Sequence, residues 1–79
     1  MNIAIIKLEA ILMINVTING DTHHLDSCLK LNELLLNFSI EISKVAVEYN
    51  NEIVPRSMFE CINITDGDNL EIIHFIGGG

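Results

Sequence analysis

The chain has 79 residues, enough for one domain, and its 49% apolar content is too high for a disordered segment. Eleven acidic side chains against four basic ones (Lys7, Lys30, Lys44 and Arg56) give a formal net charge of −7. That charge repels phosphate backbones, so nucleic acid is excluded as a direct partner, whereas a protein with a basic docking surface fits.

A domain this short buries only about 60–65% of the surface its unfolded chain exposes. Its aromatics are Phe38, Tyr49, Phe59 and Phe75, so the thin core is aliphatic. The stretch Ile3 to Ile14 is apolar but broken by Lys7 and Glu9. It is shorter than the ~20 residues of a spanning helix. It also lacks the basic start and small-residue cleavage site of a signal peptide. The expected compartment is the cytoplasm, or an organelle stroma if the chain is plastid-encoded, with no membrane partner. Residues 1–12 form an added strand or helix outside the domain and are expected to be dispensable. The domain spans residues 13–76, and residues 77–79 form a flexible glycine tail.

From Met13 the pattern is regular. Ile14, Val16 and Ile18 alternate with Asn15, Thr17 and Asn19, the period of a half-buried strand. Asn19-Gly20 tolerates the positive φ of a tight hairpin turn. Asp21 to Ser27 returns as a second strand, with Thr22, His24 and Asp26 on one face and His23 and Leu25 on the other. A helix follows, capped at Ser27, in a run holding Leu29, Leu31, Leu34, Leu35 and Phe38. The last four of these make one apolar stripe at i, i+3, i+4 and i+7, ending near Asn37 to Ser39.

Val45, Val47 and Tyr49 alternate with Lys44, Ala46 and Glu48 in a third strand. Asn50-Asn51 turns the chain into a short strand, Glu52-Ile53-Val54, which Pro55 stops because proline cannot donate to a ladder. A brief helical turn over Ser57 to Cys61, a turn at Asp66-Gly67-Asp68 and a last strand, Leu70 to Ile76, complete the chain. The order ββαββ predicts an α+β domain, one sheet with a helix across one face. Cys28 and Cys61 form no CxxC unit and are expected to be buried, reduced thiols. The alternatives are a single disulfide and a persulfide relay.

The ending carries the most information. An apolar strand runs directly into Gly77-Gly78-Gly79, which has no side chain to anchor it. A free α-carboxylate, of pKa about 3.3–3.7, is ionised and unreactive near neutrality. Acyl-adenylation by ATP supplies a leaving group, and glycines pass a narrow channel where a Cβ would collide. Sulfur displacing AMP then leaves a nucleophilic thiocarboxylate. The tail alone also admits a frayed end with no chemistry.

Residues 45–79, VAVEYNNEIVPRSMFECINITDGDNLEIIHFIGGG, resemble the C-terminal half of the thiamine-biosynthesis sulfur-carrier proteins. The resemblance is carried by VAVEYNNEIVPRS (45–57), the DGD turn (66–68) and EIIHFIGGG (71–79). Residues 13–44, with MINVTING, fit the first half in layout. It implies a β-grasp (ubiquitin-like) fold, a mixed sheet of four to five strands with one helix packed across one face. It also implies adenylation by an E1-like enzyme that uses ATP, thiocarboxylation at Gly79 and sulfur delivery to thiazole synthase. Gly77 and Gly78 become the slender approach, and a sulfur donor protein becomes a further partner. The sequence departs from the family in reading Asn50-Asn51 where Asn-Gly is expected, and Phe59 where Trp is frequent. Residues 1–12 have no family counterpart.

Other chemistries find little support. His23 and His24 point to opposite faces of a strand and His74 stands alone, so no metal site is expected. The glycines Gly20, Gly67, Gly77, Gly78 and Gly79 build neither GxGxxG nor GxxxxGK, so ATP is left to the partner and no cofactor is expected on this chain. No catalytic residue is expected. Arg56 is a surface turn residue or a docking contact, and the scattered Glu41, Glu48, Glu52, Glu60 and Glu71 supply mostly solubilising charge.

If Leu70 and Ile72 face the helix, then Glu71, Ile73 and Phe75 lie on the open side of the sheet. Ala46 and Glu48 flank them, and together these five form an expected partner surface. A one-residue slip would exchange the faces. The remaining alternatives are the small subunit of molybdopterin synthase or a related carrier, and a non-catalytic ubiquitin-like adaptor.

Overall fold

A computed structural model describes residues 13–26 and 29–75. Among these residues, five strands form one mixed sheet: β1 (Met13–Ile18), β2 (Asp21–Asp26), β3 (Val45–Tyr49), β4 (Glu52–Ile53) and β5 (Asn69–His74). The α-helix of the described residues, α1 (Leu31–Asn37), packs on it, and 3-10 turns occupy Ile42–Lys44 and Arg56–Met58. The sheet order is β2-β1-β5-β3-β4, with β1 and β5 parallel and every other pair antiparallel. The last strand is therefore the central one. This is the α+β, β-grasp arrangement that the resemblance implied.

Alternation fixes which face is buried. Ile14, Val16 and Ile18 from β1, Val45 and Val47 from β3, and Leu70 and Ile72 from β5 all point to the helix. They meet Leu31, Leu34 and Leu35 of α1, each fully buried, with Phe38 half-buried at the end of the stripe. Val54, Phe59 and Ile64 close the core from the segment between β4 and β5. Burying each such aliphatic side chain contributes about 2 kcal/mol, and nearly all of it comes from this one layer between helix and sheet.

Both hairpin turns use positive φ at their two central positions: Asn19 (51°) and Gly20 (89°), then Asn50 (50°) and Asn51 (74°). Asparagine enters this region more readily than other residues with a side chain, so Asn50-Asn51 serves where Asn-Gly was expected.

Several boundaries differ from expectation, among them the brief helical turn expected over Ser57 to Cys61, which is a 3-10 turn at Arg56–Met58. The helix begins at Leu31, with Lys30 as its N-cap, so Leu29 is not helical and the expected cap at Ser27 lies outside the described residues. The cause is non-local. Lys30 forms a bridge with Asn63, Leu31 N–H donates to the Ile62 carbonyl at 2.9 Å, and Ile64 N–H donates to the Leu29 carbonyl at 2.8 Å. This pairing holds the chain out of the helix up to Lys30, whose backbone is extended, and Glu33 Oε1 accepts the Lys30 N–H at 2.8 Å. Val54 lies beyond β4, although its N–H still reaches the Val47 carbonyl at 2.9 Å. The last strand starts at Asn69 and ends at His74, and Ile76 is outside the described residues. Cys61 is exposed rather than buried, because Phe59 and Ile64 fill the space under its turn. Cys28 and residues 1–12 lie outside the described residues. Among the described residues, no helix is long and apolar enough to cross a membrane.

Candidate functional site

The last strand carries the residues expected to form a partner surface. Its alternation puts Leu70 and Ile72 into the core and leaves Ile73 49% and Phe75 57% exposed, with Glu71 exposed beside them. The one-residue slip is thus absent. Cross-strand pairing sets Ala46 opposite Ile73 and Glu48 opposite Glu71 on the same open face, both half-buried. Phe75 N–H donates to the Lys44 carbonyl at 3.0 Å, so β3 pairing continues one step past the strand.

The five residues expected on the open face therefore adjoin one another. Glu48 and Glu71 are like charges directly opposite, an arrangement that repels in isolation and is relieved by a nearby cation. Ile53, opposite Glu48 and 64% exposed, extends the apolar part of the face. The sequence placed Ile53 on a short strand but not on this face, because β4 is too short to announce its register. Gly77, Gly78 and Gly79 lie outside the described residues.

The start of β5 is held by a polar cluster around Asp68, which is 6% exposed. Its carboxylate accepts from Tyr49 Oη at 2.8 Å, Asn50 Nδ2 at 3.1 Å, Thr65 N–H at 2.7 Å and Thr65 Oγ1 at 3.1 Å. Burial pushes the carboxyl pKa up, but the hydrogen bonds from Thr65, Asn50 and Tyr49 outweigh it and hold the value below the usual aspartate range. Burial, and then the hydrogen bond and charge of Asp68, raise the Tyr49 hydroxyl above its ordinary value. The sequence marked Asp68 only as part of a turn. The partners that make it a structural centre come from two separate segments, Tyr49-Asn50 and Thr65.

The histidines do not converge. His23 packs edge-on against Phe38 at 5.3 Å between ring centroids, and His24 is exposed on the other face. Among the described residues, no group of three or more His, Cys, Asp or Glu side chains is placed to hold a metal ion. Arg56 is exposed and donates to the Ser43 carbonyl at 3.4 Å, joining the two 3-10 turns.

Comparison with known proteins places this geometry. Residues 15–79 match the ThiS family. The crystal structure of the thiamine biosynthesis protein (ThiS) from Geobacter metallireducens superposes with a TM-score of 0.73 at 35% identity, covering 84% of this chain and 100% of that one. The sulfur carrier protein ThiS of Bacillus subtilis is 37% identical over 49 residues, 62% of this chain and 74% of its own. A thiazole synthase of Paramagnetospirillum magneticum is 42% identical over 64 residues, which is 81% of this chain. The chain spans only 20% of the length of that thiazole synthase. A match that runs from the first strand through the three closing glycines, on a sheet and helix of the same arrangement, makes this chain a member of the ThiS family.

Proposed function

We propose that the chain is a sulfur carrier of thiamine biosynthesis and that its reacting group is the carboxyl of Gly79. The carboxylate attacks the α-phosphorus of ATP held by an E1-like enzyme, pyrophosphate leaves, and an acyl adenylate forms. A sulfur nucleophile of the hydrosulfide class, provided by a donor protein, then attacks the acyl carbon. The bond to AMP breaks, a proton is lost and the thiocarboxylate remains for transfer to thiazole synthase. This chain contributes the acyl group and the docking face, while the partner contributes ATP and the chemistry.

The observation that carries the reading is the family match through Gly79, which brings Gly77-Gly78-Gly79 inside the shared pattern rather than after it. The relatives named for sulfur carriage and thiazole synthesis support the thiamine branch over molybdopterin synthase. The open face of Glu71, Ile73, Phe75, Ala46 and Glu48 supports the docking role, since an apolar patch with two acids suits a partner with apolar and basic side chains. Intact-mass spectrometry decides the matter. After incubation with the adenylating enzyme, ATP and a sulfur donor, the chain is expected to exchange one oxygen for sulfur. Deleting Gly78 and Gly79 is expected to abolish that change. An unaltered mass with a partner active on another carrier would refute the assignment. Cell fractionation is expected to place the chain in the cytoplasm, or in the stroma if it is plastid-encoded, and recovery with membranes would contradict this.

A further inference from the structure

Backbone pairing between β1 and β5 is short. Thr17 and Ile18 lie opposite Asn69 and Leu70. Thr17 N–H donates to the Asp68 carbonyl at 3.0 Å, and Asn19 N–H to the Leu70 carbonyl at 2.9 Å. The next bonds of a parallel ladder would have the carbonyl of residue 19 accept from Ile72 N–H, and an N–H two residues further on donate to the Ile72 carbonyl. The main chain does not supply them, because Asn19 and Gly20 have already turned it into β2.

The Asn19 side chain supplies both. Its Oδ1 accepts Ile72 N–H at 2.7 Å and its Nδ2 donates to the Ile72 carbonyl at 3.2 Å. A primary amide is the side-chain counterpart of a peptide group, with donor and acceptor side by side. Asparagine joins that amide to a residue that also accepts positive φ. The other end of the same strand repeats the device. Asn50, first residue of the β3–β4 turn, donates its N–H to the Asn69 carbonyl at 2.8 Å and accepts Asn69 N–H on Oδ1 at 2.8 Å.

We propose that Asn19 is a positioning residue whose amide continues the sheet to Ile72 and so fixes the outer end of the last strand. With Phe75 tied to Lys44 on the β3 side, the strand is held from both neighbours close to the point where residues 76–79 begin. The consequence for sulfur loading rests on the carrier reading. An enzyme that grips the closing glycines works against a strand end that is already ordered. Without the amide, ordering that end is charged to each encounter, which raises KM. Asn19 touches no reacting atom, so kcat stays near its original value.

Asn19→Gly is the cleanest variant, because glycine keeps the turn and removes only the amide. Asn50→Gly is its control, since it removes the equivalent bond at the inner end together with one donor to Asp68. Amide hydrogen exchange is read at Ile72 against the amide of Leu34, which is fully buried and bonded to the Lys30 carbonyl, so that a general loss of stability cancels. Asn19→Gly is expected to raise the Ile72-to-Leu34 ratio at least about tenfold, and Asn50→Gly to leave it unchanged. Asn19→Asp, which sets a carboxylate against the Ile72 carbonyl, is expected to raise the ratio as well. In thiocarboxylation by the adenylating enzyme, ATP and a sulfur donor, Asn19→Gly is expected to raise KM several-fold above that of Asn50→Gly.

An unchanged exchange ratio overturns the proposal outright. A raised ratio with the KM of the control overturns the role in loading and leaves the carrier reading standing. Wild-type chain that cannot be loaded at all overturns the carrier reading and the loading role together, and the exchange ratio still decides whether Asn19 holds the strand.

Discussion

Asp68 accepts four hydrogen bonds from three residues while almost wholly buried, so its ionised form is worth more to the folded chain than to the unfolded one. Its folded pKa is lowered. The stability it contributes is therefore fully present above the unfolded aspartate value, about 3.9, and is lost as the pH falls through the lower folded value. Asp68→Asn places an amide NH2 group among donors and is expected to cost about 2 kcal/mol near neutral pH, or roughly 10 °C in Tm. Thermal melts should show that deficit narrowing as the pH is lowered below about 4. A deficit of the same size at all pH values would mean that the carboxylate charge plays no part. In the sequence this residue was legible as one side of a turn. Its burial was not, because the donors belong to β3, the Asn50 turn and Thr65.

The elements were legible to different degrees. The β1–β2 hairpin and the apolar stripe of α1 depend on residues a few positions apart, and both form as their spacing requires. The helix start does not, since bridging to residues 62–64 draws Leu29 and Lys30 out of it. The last strand shows how alternation becomes a surface. With Leu70 and Ile72 inside, Ile73 and Phe75 must face outward, and β3 brings Ala46 and Glu48 against them. Phe75→Asp is expected to leave the circular dichroism spectrum and melting temperature nearly unchanged while weakening binding to the adenylating enzyme at least about tenfold. Calorimetric titration measures the second effect. An unfolded variant, or one that binds as before, would remove Phe75 from the proposed docking face.

At the scale of the molecule, the family match begins at residue 15 and the first strand at Met13. A chain starting at Met13 loses Lys7 and Glu9 together, so its formal net charge stays at −7. It is expected to melt within a few degrees of the 79-residue chain and to be thiocarboxylated at the same rate, as followed by intact mass. A truncated chain that fails to fold would make residues 1–12 part of the domain.

The sequence by itself determined the strand alternation, the two asparagine turns, the helical stripe, the acidic surface and the glycine ending, because each is a property of residues close together in the chain. Only the tertiary structure decided that the last strand sits at the centre of the sheet, that Cys61 faces outward, and that Asn19 and Asn50 reach across to hold β5. The reason is one of range. Asn19 and Ile72 meet through the pairing of β1 with a strand near the other end of the chain. No local pattern records which distant backbone a turn will find beside it.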